Sequence, residues 1–307
     1  MGQEERPARR EKISIIGGGR VGRSFGFLLA RAGYRIRGVS CLTLAEAEEA
    51  VRFIGDGAAF EDDFAVLMDS RTVLVAVPDD VVAPVVRTLT EAPVSWDSRL
   101  VVHCSGFLTS RVLEPLARLG ALVATAHPLQ TIANPREGVC AMRKCFYGIE
   151  GDEAALPAVE AMVGHIGGRC MPIDPGHKVH YHAAAVMASN YFVALTSLCV
   201  DLLAQAGVAP AQGLEALTPL IEGALGNIKK LGPRRSLTGP ISRGDVATVR
   251  GHLEALARVG APTDTAYRAL GLAALDLALG DRNGPSLDRA WELREALESE
   301  DPGEELE

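Results

Sequence analysis

Apolar residues follow two different periods along this chain. In the first half, short apolar runs at residues 13–16, 34–40, 72–77, 100–103 and 121–126 read as strands, with two more at 144–150 and 170–173. Residues 72–77 are dominated by β-branched side chains, as expected of a strand buried on both faces of a parallel sheet. Stretches of helical period lie between the strands, at residues 44–53, 81–89 and 153–166. This alternation predicts a doubly wound α/β domain over residues 1–174.

Beyond Asp174 the strand signals stop. Asp174-Pro175 supplies an N-cap and a proline at the first helical position. Helical patterns then cover residues 175–206, 211–231, 246–259, 264–279 and 286–299, and Gly207, Gly232, Gly260 and Gly280 stand at their ends. An all-α domain is therefore expected over residues 175–299, broken once at 233–245. The acidic residues 300–307 are expected to be disordered.

The most informative motif joins the first strand to the first helix. Ile13-Ser14-Ile15-Ile16 runs into Gly17-Gly18-Gly19-Arg20-Val21-Gly22, a G-x-G-x-x-G sequence with the helix following at once. Gly17 permits the tight turn, Gly19 leaves room for a pyrophosphate against the backbone, and Gly22 lets helix and strand pack closely. The N–H groups of the helix's first turn then face the phosphates. The second strand ends Val39-Ser40-Cys41-Leu42-Thr43, without the acid that binds the ribose 2′-OH of NAD. Nothing there repels a 2′-phosphate, Ser40 and Thr43 can donate to one, and Arg20 is a cation nearby, so NADP is favoured over NAD. A helix-capping role for Ser40 is the plainer alternative.

Ligands of open parallel sheets lie beyond the carboxyl ends of the strands. Val77 and Pro78 are thus expected beside the nicotinamide, with Asp79 as a helix cap. Two further strand ends deliver Cys104-Ser105-Gly106 and His127-Pro128-Leu129-Gln130 to the same rim, making Ser105 and His127 candidates for ligand contact. His103, inside its strand, reads as a packed histidine, and His165, late in a helix, as an exposed one.

On the long helix after Pro175, residues advance by about 100° each, so His182, Ala185 and Ser189 fall within about 40° of Lys178. Lys178, His182 and Ser189 form a polar stripe, with Asn190 beside it. Lys178 or His182 is expected to donate a proton to a carbonyl or imine while the cofactor delivers hydride. A snorkelling lysine and a satisfied core histidine are the alternative. His177, His180 and His182 spread round the helix, and no metal site is expected. In the break at 233–245, Arg243 is a candidate for holding a substrate carboxylate.

Composition narrows the setting. The 307 residues carry 31 basic and 39 acidic side chains, a net charge of −8, which offers no footprint for nucleic acid or an anionic membrane. Six scattered cysteines without a C-x-x-C pair read as reduced thiols in the cytoplasm. Residues 1–12 lack the apolar core of a secretory signal. Residues 183–200 carry no charge, but Ser189, Asn190, Thr196 and Ser197 interrupt them. A helix buried in a core or a subunit interface is expected there, not a membrane span.

Together, Gly17 to Gly22, residues 73–79, His103-Cys104-Ser105-Gly106, His127-Pro128-Leu129-Gln130, His182 with Ser189-Asn190-Tyr191, and residues 237–245 resemble a bacterial family. Its members join a Rossmann-like domain to a C-terminal domain of unknown function and are similar to deazaflavin-dependent NADP reductases. The family is similar in architecture to ketopantoate reductases, 6-phosphogluconate and 3-hydroxyisobutyrate dehydrogenases, and prephenate dehydrogenases. The resemblance implies a C-terminal domain of the 6-phosphogluconate dehydrogenase type and a homodimer formed through it. It also implies an NADP-dependent oxidoreductase acting on a small oxo acid, hydroxy acid or imine between the domains. His127 matches a substrate-touching histidine of prephenate dehydrogenases. Lys178 matches the lysine of the Lys-x-x-Asn-Asn pattern of hydroxyacid dehydrogenases, with Tyr181 and His182 replacing the asparagines. That replacement leaves a second function class open, an NADP(H)-binding redox sensor or scaffold without turnover.

Overall fold

A computed structural model describes residues 11–280 and 284–299. The expectations for residues 1–10 and for the 300–307 tail lie outside the described residues. Contacts divide the chain into two compact units, Met1–Asn190 and Tyr191–Glu307. The division falls later than the boundary expected after Asp174, because the first turns of the long helix pack with the sheet unit.

The first unit is built on one eight-stranded sheet: β1 (Lys12–Ile16), β2 (Arg35–Ser40), β3 (Ala58–Phe60), β4 (Thr72–Val75), β5 (Leu100–His103), β6 (Leu122–Pro128), β7 (Phe146–Gly151) and β8 (Arg169–Pro172). Their order is β3-β2-β1-β4-β5-β6-β7-β8, and all pairs are parallel except β6 with β7. The helices of this unit are α1 (Arg20–Arg31), α2 (Leu44–Ile54), α3 (Asp63–Leu67), α4 (Asp79–Thr90), α5 (Glu114–Ala117), α6 (Pro135–Met142), α7 (Leu156–His165) and α8 (Lys178–Val186).

Alternate strand residues point to opposite faces, and two cores follow from that. Ile13, Ile15, Val39, Leu74 and Val102 pack with Phe25 and Leu29 of α1. Ile16, Val73, Val75 and Val101 pack with Val82, Val86 and Leu89 of α4 on the other face. A strand buried on both sides needs apolar residues at every position, which is why residues 72–75 show no alternation. Strand order runs outward in opposite directions from the parallel pair β1 and β4, so the crevice for a ligand opens above their carboxyl ends.

Several elements escaped periodicity. The edge strand β3 has three residues, and α3 and α5 are short. α6 is amphipathic and starts at Asn134, whose side chain accepts from Glu137 N–H at 3.0 Å. Strand β4 ends at Val75, earlier than expected, which leaves Val77 and Pro78 in the turn before α4.

The second unit holds α9 (Phe192–Gln205), α10 (Pro210–Leu231), α11 (Pro233–Ser236), α12 (Pro240–Arg243), α13 (Val246–Ala257), α14 (Thr263–Leu279) and α15 (Leu287–Glu298). Val249 and Leu253 of α13, Leu275 of α14, and Leu293 and Leu297 of α15 form its core. The break at 233–245 contains two single turns of helix, α11 and α12. A π-helical turn, Met187–Tyr191, joins α8 to α9. The helix Pro175–Gln205 is long and apolar enough to cross a membrane by length and composition alone, and its apolar window is not buried within the chain. The core alternative of that expectation is thereby corrected, and the subunit-interface alternative is untouched.

Candidate functional site

The glycine loop takes the form its sequence requires. Gly17 has φ +99°, and its N–H donates to the Ser40 carbonyl at 2.9 Å. A Cβ at Gly17 would stand 2.5 Å from the Ala76 carbonyl oxygen, and one at Gly22 would collide with the Gly17 carbonyl oxygen. A Cβ on Gly19 would meet nothing within 4 Å. Gly19 is also the N-cap of α1, with no side-chain cap bond and no acid in the first turn. Free N–H groups under an open space fit the pyrophosphate of a dinucleotide.

Above the carboxyl ends of β1, β4, β5 and β6 lies a pocket of about 330 Å³. Arg20 and Val21 line its phosphate end, Ala76, Val77 and Asp79 its β4 wall, and Cys104, Ser105 and Gly106 its β5 wall. His127, Pro128, Gln130 and Ile132 come from the end of β6, and His182 comes from α8. Val77, Ser105 and His127, which the sequence placed at strand ends, and His182, which it placed on the long helix, line the same pocket. Pro78 is the N-cap of α4, and Asp79 is that helix's first residue, in place of the capping role expected for it. The Ser105 hydroxyl oxygen accepts from Phe107 N–H at 3.1 Å and Leu108 N–H at 2.9 Å, and neither bond uses its proton.

Lys178 is not in the pocket. It is 1% exposed, and its Nζ donates to Thr125 Oγ1 at 2.8 Å and to Glu150 Oε1 at 2.9 Å. Glu150 in turn accepts from the Ser110 N–H at 2.8 Å and from its hydroxyl at 2.7 Å. Burial pushes the Glu150 carboxyl up, but the Lys178 ammonium and the Ser110 donors outweigh it and hold it below the usual carboxylate range. Burial pulls the Lys178 ammonium down from its ordinary value. Lys178, one of the two expected proton donors, therefore sits inside a four-residue network with Thr125, Glu150 and Ser110.

A π turn at Met187–Tyr191 follows Val186. Ser189 donates to the Ala185 carbonyl at 2.7 Å, with Asn190 Oδ1 at 2.9 Å. Neither Ser189 nor Asn190 lines the pocket. Arg243 ends α12 in the second unit and is exposed.

At the adenosine end, Ser40 is fully buried, which corrects its expected contact with a 2′-phosphate. Thr43, which caps α2 by accepting from Glu46 N–H, and Leu42 are exposed there. Cys41 Sγ accepts from Gly18 N–H at 3.2 Å. Arg20 reaches the Ala133 carbonyl at 3.4 Å, on the β6 side of α1, away from the end of β2 where it was expected. Arg23 is the guanidinium on the β2 side, bound to the Gly18 carbonyl at 2.6 Å and to Glu49.

Two imidazoles share the inner end of the pocket. The rings of His127 and His182 lie 6.2 Å apart, edge to face, and Phe107 stands 6.1 Å from His182. His127 Nδ1 lies 2.7 Å from the Tyr181 hydroxyl, a partner the sequence reading had not identified. Burial, then the His182, Lys178 and His103 charges, push His127 down to about 4, so it is neutral at physiological pH. Beneath it, His103 bonds the Thr109 carbonyl at 3.2 Å and accepts from Ser105 N–H at 3.2 Å. Burial, then Lys178, likewise push His103 down to about 4. Burial raises the Cys104 thiol to about 12, which makes it inert.

A glycine loop at a switch point, with a polar pocket beyond it, defines a dinucleotide-binding fold. Comparison with known proteins agrees: residues 2–128 match the Rossmann-like domain, and residues 145–274 match the domain of unknown function DUF2520. A Thermotoga maritima protein of known structure is 27% identical, with a TM-score of 0.70 over 88% of this chain and 99% of its own. A candidate NADP oxidoreductase from Bacteroides fragilis is 21% identical, with a TM-score of 0.68 over 88% and 99%. An imine reductase from a Pseudomonas species is 20% identical, with a TM-score of 0.62 over 94% and 99%. No curated protein matches the sequence. The chain thus pairs a Rossmann-like domain with a DUF2520 match that begins at β7 and runs into the helices of the second unit.

Proposed function

We propose that this protein is an NADP-dependent oxidoreductase acting on a small oxo acid, hydroxy acid or imine. One observation carries the reading: a single pocket joins a phosphate-binding loop at one end to two imidazoles, His127 and His182, at the other. When bound, the cofactor supplies hydride chemistry. The loop from Gly17 to Gly22 binds the pyrophosphate, Ala76 and Val77 form the wall beside the nicotinamide, and His127 and His182 face the substrate. The candidate NADP oxidoreductase and the imine reductase of the same fold support the class of reaction. Absence of an acid at residues 39–43 supports NADP over NAD.

Titration with NADPH and NADH tests the cofactor. NADPH is expected to bind at least ~10-fold more tightly, about 1.4 kcal/mol. No binding of either at about 1 mM, the upper end of ordinary substrate affinities, or a clear preference for NADH, would overturn it. A second reading, an NADP(H)-binding sensor or scaffold, draws support from the burial of Lys178, which keeps one of the two expected acids out of the pocket. NADPH binding without hydride transfer to any of a broad panel of oxo acids and imines would favour that reading.

A further inference from the structure

We infer that Tyr181 is a positioning residue that holds His127 in the tautomer with its proton on Nε2. The pocket then offers an imidazole N–H to the acceptor atom of the substrate, a carbonyl oxygen or an imine nitrogen. The inference rests on the oxidoreductase reading and adds to it the polarity of the group the substrate must present.

Strand register creates the arrangement. His127 on β6 pairs directly with Gly148 on β7. A Cβ on Gly148 would stand 2.6 Å from the Tyr181 hydroxyl, so the missing side chain is the slot through which the phenol reaches across to His127 Nδ1. On the far edge of the ring, a Cβ on Gly106 would stand 2.8 Å from His127 Nε2 and 2.8 Å from His182 Cδ2. Gly106 lines the pocket, and Nε2 has no hydrogen-bond partner among the described residues. One nitrogen is therefore tied to tyrosine and the other is left for a ligand.

The direction of the tied bond follows from the chemistry of the two groups. A phenol O–H is a stronger donor than an imidazole N–H, and an unprotonated imidazole nitrogen is a stronger acceptor than a phenol oxygen. Tyr181 thus donates to Nδ1. Burial raises its phenol to about 12 and, with the nearby His182, Lys178 and His103, keeps His127 neutral, so the ring carries one proton and that proton sits on Nε2. A neutral imidazole N–H polarises a carbonyl without becoming a cation.

Long-range ¹H–¹⁵N NMR of the histidine side chains in the full-length protein, with and without NADPH at about pH 7.5, where an unshifted imidazole is already neutral, reads the tautomer directly. His127 is assigned by the signals lost in His127→Gln. The expected result is a proton on Nε2 in the wild type and a mixture of tautomers in Tyr181→Phe. With a turned-over substrate, kcat in Tyr181→Phe should fall ~10- to 100-fold, within the range of general acid–base effects, while KM for NADPH holds. A proton on Nδ1 in the wild type, a result that needs no variant to fold, overturns the inference. So does an unchanged tautomer or an unchanged kcat in Tyr181→Phe. NADPH titrated into the same samples separates the two claims: failure to bind removes the oxidoreductase reading and leaves the tautomer result standing.

Discussion

Two histidines in the sheet unit have given up their charge to be where they are. For His103 and His127 the folded pKa, about 4, lies below the ordinary imidazole value of about 6.5. Between those values the unfolded chain binds more protons than the folded one, so stability is full above about pH 6.5 and declines as pH falls toward 4. The thermal midpoint should drop over that window and drop less steeply in His127→Gln. Equal slopes would mean that His127 is not held neutral by the fold. Sequence position was enough to mark both residues, since a strand interior and a strand end at the ligand rim are legible from the apolar runs alone. Tyr181 was not legible, because its role depends on the β6–β7 register and on a Cβ missing from Gly148.

Helix α8 shows where a helical count holds and where it stops. Lys178, Tyr181 and His182 do share one face, as their i, i+3, i+4 spacing requires, and that face meets the ends of β6 and β7. Depth was the part that could not be counted: the lysine goes under the pocket, and the histidine lines it. Removing one member of the buried pair strands the other's charge, so Lys178→Met should cost about 3–5 kcal/mol in denaturant unfolding. Lys178→Met with Glu150→Leu should recover part of that loss. The remainder is expected from the Ser110 N–H and hydroxyl, which lose their acceptor. A double variant no more stable than the single would show that the charge pair is not the source of the loss.

At the largest scale, the second unit leaves an apolar helical surface exposed. Tyr191, Phe192 and Val193 on the long helix, and Leu214, Leu220, Leu225 and Ile228 on α10, all in the second unit, are exposed in the single chain. We propose that a second copy covers them, giving a homodimer. Lys178 ties the start of this helix into the sheet unit, and a net charge of −8 offers an anionic bilayer nothing to attract. Light scattering should give twice the 32.5 kDa of one chain, and Val193→Glu with Leu220→Glu should halve it. Recovery of the wild type in the membrane fraction would reject the dimer in favour of a lipid-facing helix.

The sequence by itself determined the layered α/β unit, the helical region after it and the phosphate-binding turn, because periodicity, glycine sterics and capping act over a few neighbouring residues. Only the tertiary structure decided that Lys178 is a buried partner of Glu150, that Ser40 is sealed, and that Tyr181 meets His127. Those outcomes depend on depth below the surface and on pairing between distant strands, which no local pattern encodes.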